Sequence, residues 1–366
     1  MKKEVLQLPF FAKASLFFMG MVAFVSVLYI GSGIIVPLIF ATMIAIVLQP
    51  VVGFFVRKKV NRVVAIIITL ILAILILAAF GYFLYSQATR FSDSWPKLVD
   101  KFTEIFNTSS AWTSDQFNIS PEKIKDWVSE TKADLFNTSG SIIGKTLISV
   151  GTSLVVLFII PVYVFMIMFY EPLLLEFINR LFGQSNHTMV GKITTKIKKV
   201  IQLYLTGLII ELVIVAALNS VGLLLLGIQY AVLLGVIGAL LNLIPYIGGI
   251  VAVALPMMIA LVTKPSPWYA LYVLAIYYFI QLIDNNYIVP KIVASKVKLN
   301  ALVSIIVILA FGALWGIPGM FVSIPLTAIV KVIFDQIEPL KPWGFLLGDT
   351  MPEMAIFKIN IKKRKK

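Results

Sequence analysis

The sequence predicts an all-α polytopic membrane protein, and three observations carry that reading. Of its 366 residues, 60% are hydrophobic and 13% are charged, against roughly 25% charged in a soluble domain. The charges also cluster, leaving apolar runs of roughly 18 residues or more, the length of a spanning helix. Glycines and prolines then interrupt several runs near their middles, which predicts helical hairpins and one broken or re-entrant segment rather than a row of plain rods.

The hydrophobic segments run over 14–30, 33–56, 63–87, 146–170, 201–227, 229–262, 268–283, 300–315 and 317–337. The first two are separated by Gly31-Ser32-Gly33, with Pro37 close behind, and read as a tight hairpin. The last two repeat the plan around Gly316-Ile317-Pro318-Gly319. The segment 229–262 is long for one helix and is broken at Ile244-Pro245-Tyr246-Ile247-Gly248-Gly249. A proline followed by two glycines frees backbone groups that need protein or a water-filled cavity around them.

Charge sets the orientation. The net charge of +14 resides in short loops beside the apolar runs, which is the pattern of cytoplasmic loops and not of a nucleic-acid surface. Lys2, Lys3 and Lys13, then Arg57-Lys58-Lys59 and Arg62, then Arg180, Lys192, Lys196, Lys198 and Lys199, then Lys291, Lys296 and Lys298, and finally Lys362-Lys363-Arg364-Lys365-Lys366 all fall on one side. This holds if both termini are cytoplasmic and 229–262 dips in and returns. The outer side then carries 88–145, where Ser120-Pro121-Glu122 starts one amphipathic helix and Trp95-Pro96 another. About 50 residues bury little core alone, so this segment is expected to pack on the membrane domain or on a neighbouring subunit.

The chain has no cysteine and a single histidine, His187. That removes disulfides, thiolate nucleophiles and zinc sites built on cysteine or several histidines. No His-Glu-x-x-His, Gly-x-Ser-x-Gly or phosphate-binding glycine loop is present, so neither catalysis, a cofactor nor a bound metal is expected. Transport asks for something else: polar groups that replace water around a solute, and broken helices that expose backbone groups at the midplane.

Three features supply these. Glu211 is the lone charge between Val200 and Gly227. Counting from Lys199 at ~1.5 Å per residue places it roughly 18 Å into the hydrocarbon, where a carboxyl is costly and marks a functional candidate. Asn242 precedes the break at Pro245, Tyr246, Gly248 and Gly249. Gln281, Asp284, Asn285 and Asn286 end the helix 268–283. Each has a purely structural alternative. Glu211 would be protonated and bonded to Asn219 or to a neighbouring helix; Gly248 and Gly249 would allow close helix packing; and the amides after Asp284 would cap loose carbonyls. Tyr269, Tyr272, Tyr277 and Tyr278 read as interface belt and packing.

The run Leu243-Ile244-Pro245-Tyr246-Ile247-Gly248, then Gln281 through Val293, then Phe311-Gly312-Ala313-Leu314-Trp315-Gly316-Ile317-Pro318-Gly319-Met320 with Ile324-Pro325-Leu326, closely resembles the autoinducer-2 exporter family of bacterial transporters. The resemblance covers nearly the whole chain, with its specific motifs in the last half. One departure is Gly249, where the family commonly has proline.

The resemblance implies a multi-pass protein of the bacterial inner membrane, a homo-oligomer with a lipid bilayer around it and a small-molecule or ion substrate. The function it implies is export of a small organic signal or metabolite. The alternatives are a monovalent cation (sodium or lithium)/proton antiporter and a non-transporting membrane scaffold. The implied organisation is an amino-terminal unit over 1–87, an extracytoplasmic segment over 88–145, a transport core over 146–340 with a cytoplasmic loop at 171–200, and a basic tail over 341–366.

Overall fold

The computed structural model describes residues 9–117, 158–182, 187–243, 248–294 and 297–350. Among them the chain is helical throughout, with one isolated bridge between Leu299 and Gly348. The first two helices, α1 (Phe10–Ile30) and α2 (Ser32–Arg57), meet at Gly31. A tight hairpin is expected there, but Gly31 keeps near-helical dihedrals (φ −80°, ψ 6°). Its N–H donates to the Val27 carbonyl and its own carbonyl accepts from Ile35, so the chain bends at this point and does not double back. No side chain of α1 is buried, as suits a helix bathed in lipid.

The third helix, α3 (Arg62–Phe117), passes straight through the expected break at 88. Its apolar, span-length part is Arg62–Thr89; Trp95-Pro96 lies inside the same helix instead of starting another. The helix expected from Ser120 and the part of the basic tail beyond 350 fall outside the described residues. Two helices, α4 (158–169) and α5 (Glu171–Phe182), follow with a 61° bend between them. The expected loop 171–200 is therefore largely helical, because α6 (His187–Leu225) begins well before the apolar run at 201.

Beyond α6 the chain reverses at Gly227 and Tyr230, both with positive φ, into α7 (Ala231–Asn242). Twelve residues reach only ~18 Å, too short to cross a hydrocarbon core. The next helix, α8 (Gly248–Thr263), turns back on α7: a Cβ on Gly248 would run into the Leu241 carbonyl and lie 2.9 Å from the Asn242 Cα. These residues touch across the break, so the broken segment is a doubled-back pair, as its Pro-Gly-Gly sequence predicts. Then come α9 (Trp268–Ile283) and, continuing from it, α10 (Asp284–Ala294), wound as a wider π-type helix. Such helices are rare and often mark functional places.

A final run, α11 (Ala301–Gln336), hides a reversal at Gly316 (φ 65°, ψ −147°), a conformation open to glycine. Residues eight apart in a straight helix lie ~12 Å from one another. Here a Cβ on Gly312 would meet Met320 Cε at 2.7 Å, and one on Gly319 would collide with the Phe311 carbonyl. Despite its length, α11 is therefore the expected hairpin and not a single span. It packs on the first two helices through a bond from Trp315 Nε1 to the Leu28 carbonyl (2.9 Å) and a Phe40–Phe321 stack. Asn300 caps α11 by accepting from Val303 N–H, and its amide also donates to the Leu346 and Gly348 carbonyls around the short α12 (Lys341–Leu347).

Most of this is arranged around α6. One buried cluster joins its Ile201, Tyr204 and Leu205 to Met43 of α2, Val293 of α10 and Val322 of α11. Another joins Leu223 to Leu234, Ala252, Ile259 and Val273 on α7, α8 and α9. Glycines let these neighbours close in: a Cβ on Gly207 would sit 2.7 Å from the Ile292 carbonyl of α10, the small-residue contact by which membrane helices associate without a hydrophobic drive. At the basic end, Glu171 accepts from Lys198, Arg62 and Gln49 and so ties α2, α3, α5 and α6 together.

Three outcomes follow. Gly248→Ala forces a side chain into backbone and is expected to lower thermal stability in detergent by about 1–3 kcal/mol. Gly53→Ala, a mid-helix site with open space around it, is expected to leave stability unchanged or raise it by up to ~1 kcal/mol. At Glu171, burial opposes ionisation, but the hydrogen bond and charge of Lys198, with Arg62 and Gln49, outweigh it and hold the pKa below the usual 4.5. Its stabilisation is complete above about that pH and fades as pH falls through the depressed value. Wild type should therefore exceed Glu171→Gln in melting temperature at pH 7, and the two curves should converge in acid.

Candidate functional site

The broken and wide-wound segments meet around one cavity of about 730 Å³. Its walls come from Tyr204 and Glu211 of α6, Asn242 and Gly249 beside the break, Tyr277, Tyr278 and Gln281 of α9, Asp284 and Asn285 of α10, and Ser304 of α11. Apolar side chains including Leu208, Val253, Leu274 and Ile308 fill the rest. The volume falls within the range of small-molecule sites.

The polar groups are placed by the local fold. Asp284 is 1% exposed; its Oδ2 accepts from Asn242 Nδ2 at 2.8 Å, while its Oδ1 has no partner among the described residues. One hydrogen bond thus links the break after α7 to the start of α10. Gln281 donates to Asn285 Oδ1 at 3.2 Å, and its own oxygen points toward Gly249. A Cβ on Gly249 would lie 2.8 Å from Gln281 Oε1 and 3.6 Å from Asn242 Oδ1. Glycine at this position therefore leaves room for two amide oxygens to converge, and a proline ring would press into them.

Glu211 is buried (6% exposed) yet faces the cavity. Its carboxyl shares the cavity with Asp284 and Tyr204. No Lys or Arg is present among the described lining residues. The expected bond between Glu211 and Asn219 is not formed, since Asn219 Oδ1 is buried without a partner. Among the described residues no three acidic or histidine side chains group as a metal site.

Most of the residues singled out from the sequence come together here: Glu211, Asn242, Gly249, Gln281, Asp284 and Asn285. Gly248 packs at the reversal beside the cavity instead of lining it. Asn286 turns away, donating to the Leu282 carbonyl at 2.8 Å from an exposed position. Pro245 and Tyr246 lie outside the described residues. The sequence reading missed Tyr204, Tyr277 and Ser304. Interface belt and packing is the expectation for Tyr277 and Tyr278; Tyr277 is packed (7% exposed) and Tyr278 is 65% exposed, and both also line the cavity. Helical spacing carries the signal: Tyr204 stands seven residues before Glu211, and Tyr277 seven before Asp284, each pair on one face.

The comparisons with known proteins agree with this architecture. The AI-2E family transporter profile matches residues 18–338. The chain belongs to the AI-2E transporter family. YhhT of Escherichia coli K12, named as a candidate transport protein, is 25% identical over 351 residues, covering 92% of this chain and 94% of its own. YueF of Bacillus subtilis 168, similarly named, is 24% identical over 90% of this chain and 89% of its own. The AI-2 transport protein TqsA of E. coli K12 is 24% identical over 87% of this chain and 91% of its own. This AI-2E family member is thus a multi-pass membrane transporter by family and by helix composition.

The Asn242–Asp284 bond is the most consequential contact at the site. Asn242→Leu leaves a buried carboxyl with neither oxygen bonded, which should cost about 1–3 kcal/mol of stability. In a double-mutant cycle with Asp284→Leu the coupling energy should be of the same order, and a coupling near zero would show that the bond is not formed in the protein.

Proposed function

We propose that this protein is a secondary transporter whose solute path runs through the cavity between Glu211 and Asp284, exporting a small organic signal or metabolite. The observation that carries the reading is the pair of buried carboxyls sharing a cavity with amides and tyrosines, with no basic side chain among the described lining residues. Two carboxyls that face one poorly solvated cavity with no basic side chain among its described lining residues cannot both stay charged at low cost. The pair needs a proton, a cation or a solute that donates hydrogen bonds, and exchange among those three is what coupled transport requires. The orphaned Asp284 Oδ1 supplies an acceptor that a hydroxyl-bearing solute would satisfy.

A second reading, monovalent cation/proton exchange, is favoured by the same acid-only charge and by the converging oxygens of Gln281 and Asn242. The scaffold reading calls for no polar cavity and is disfavoured by this one. On the transport reading the basic end, around Arg57, Lys58, Lys59 and Arg62, faces the cytoplasm of a bacterial inner membrane with both termini inside. The family resemblance suggests a homo-oligomer, and 88–145 forms the outer segment of a four-part chain.

The test is flux in proteoliposomes under an imposed proton gradient, with labelled autoinducer-2 in one arm and sodium or lithium with an internal pH dye in the other. Glu211→Gln and Asp284→Asn should each reduce gradient-driven flux at least tenfold while the proteins remain folded. Movement of the organic solute without cation dependence supports export, and proton release on addition of sodium or lithium alone supports antiport. Full flux in both variants would remove the cavity from the path.

A further inference from the structure

Two buried polar atoms, Asn219 Oδ1 and the Tyr277 hydroxyl, have no hydrogen-bond partner among the described residues, and the transport reading above gives them none. The inward stripe of α6 runs from Glu211 through Val215 to Asn219, four residues at a time. Asn219 is 3% exposed, and its Oδ1 has no partner among the described residues. The hydroxyl of Tyr277 is buried and also unpartnered. Both converge on Gly238 of α7: a Cβ there would lie 3.1 Å from the Tyr277 hydroxyl and 3.3 Å from Asn219 Nδ2. The two side chains therefore pack against one glycine, yet no hydrogen bond joins them. Tyr277 also lines the cavity, so this residue connects the cavity wall with the second spot.

A buried donor and acceptor that are not bonded are costly, and polar pockets of this kind usually hold water. A single water accepts from the tyrosine hydroxyl and donates to the asparagine carbonyl, satisfying both. Gly238 lets both groups approach, since a Cβ there would press on the tyrosine hydroxyl and the asparagine amide. We propose that Asn219, Tyr277 and Gly238 hold buried water next to the Glu211 cavity, continuing its polar path ~12 Å along α6 toward the α6–α7 turn. The water site stands on its own geometry; its role in the path rests on the transport reading above.

The chain contains no cysteine, so single thiols can be placed without background. Asn219→Cys and, as a dry control on the same helix, Leu223→Cys (0% exposed) are reconstituted in the full-length protein. Both are treated with methanethiosulfonate ethylammonium, which reacts with thiolate and so reports local water. Asn219→Cys should react at least tenfold faster than Leu223→Cys, and adding Gly238→Ala should remove that difference. Equal rates for the two single variants would overturn the water site. Should Asn219→Cys fail to assemble, Gly238→Cys reports on the same spot with the same outcomes. For the role in the path, Tyr277→Phe should slow gradient-driven flux at least fivefold. Unchanged flux in Tyr277→Phe beside a dead Glu211→Gln overturns the extension and spares the cavity. Unchanged flux in both overturns the cavity and the extension together, and the labelling rates alone then decide the water.

Discussion

The hydrogen bond from Asn242 to Asp284 is the contact on which the site depends. It joins the end of a helix too short to cross the membrane to the start of a helix wound too wide. Each of these segments has backbone groups that the ordinary α-ladder does not serve, and such groups survive at depth only inside protein or beside water. Setting the two irregular segments against each other meets that requirement at one place and leaves the remaining helices free to face lipid. The cavity is what remains between them, and its polarity follows from what breaks helices: amides, a carboxyl and glycines.

The second constraint is how closely α6 must be approached. Glu211 is useful only if α10 brings Asp284 near, and α10 reaches α6 because Gly207 presents no side chain to the Ile292 backbone. A larger residue at 207 would push Asp284 away and dilute the interaction between the two carboxyls. Likewise α7 lies on α6 where Gly235 meets the Ser220 backbone, with Gly238 beside Asn219 one turn on. These three glycines thus combine close membrane-helix packing with position, since Gly207 faces the wide-wound helix and Gly235 and Gly238 face Ser220 and Asn219. At the other end, Glu171 binds four helices in the basic region, so the molecule is fixed by charge at one face and by small-residue packing in the middle.

Much of the fold was legible because hydropathy and helix breakers report backbone physics directly. The apolar runs, the reversal at Gly316 and the break before Gly248 all follow from which residues can leave a helix in lipid. The bend at Gly31 was not legible: Gly31-Ser32-Gly33 permits a reversal but does not compel one, and of the two glycines Gly31 and Gly316 it is Gly316 that takes a positive φ. The helical continuation of α3 past Thr89 was missed because polarity marks the end of a membrane span, not of a helix. At the site, charged and amide residues announced themselves by being out of place in an apolar run. Tyr204 and Tyr277 did not, since tyrosine is ordinary in membrane helices and only its register with Glu211 and Asp284 gives it away.

The geometry also restricts how a cycle could proceed on the transport reading. Glu211 is carried by α6, which packs on nearly every neighbour, whereas Asp284 is carried by the α9–α10 junction and is held by one hydrogen bond from the break. The two buried clusters hold α6 against α7, α8, α9 and α10 alike, so displacing either carboxyl relative to the other works against the same packing. On the transport reading, a solute that satisfies one carboxyl therefore changes the surroundings of the other within a single closely packed cavity rather than across separate sites.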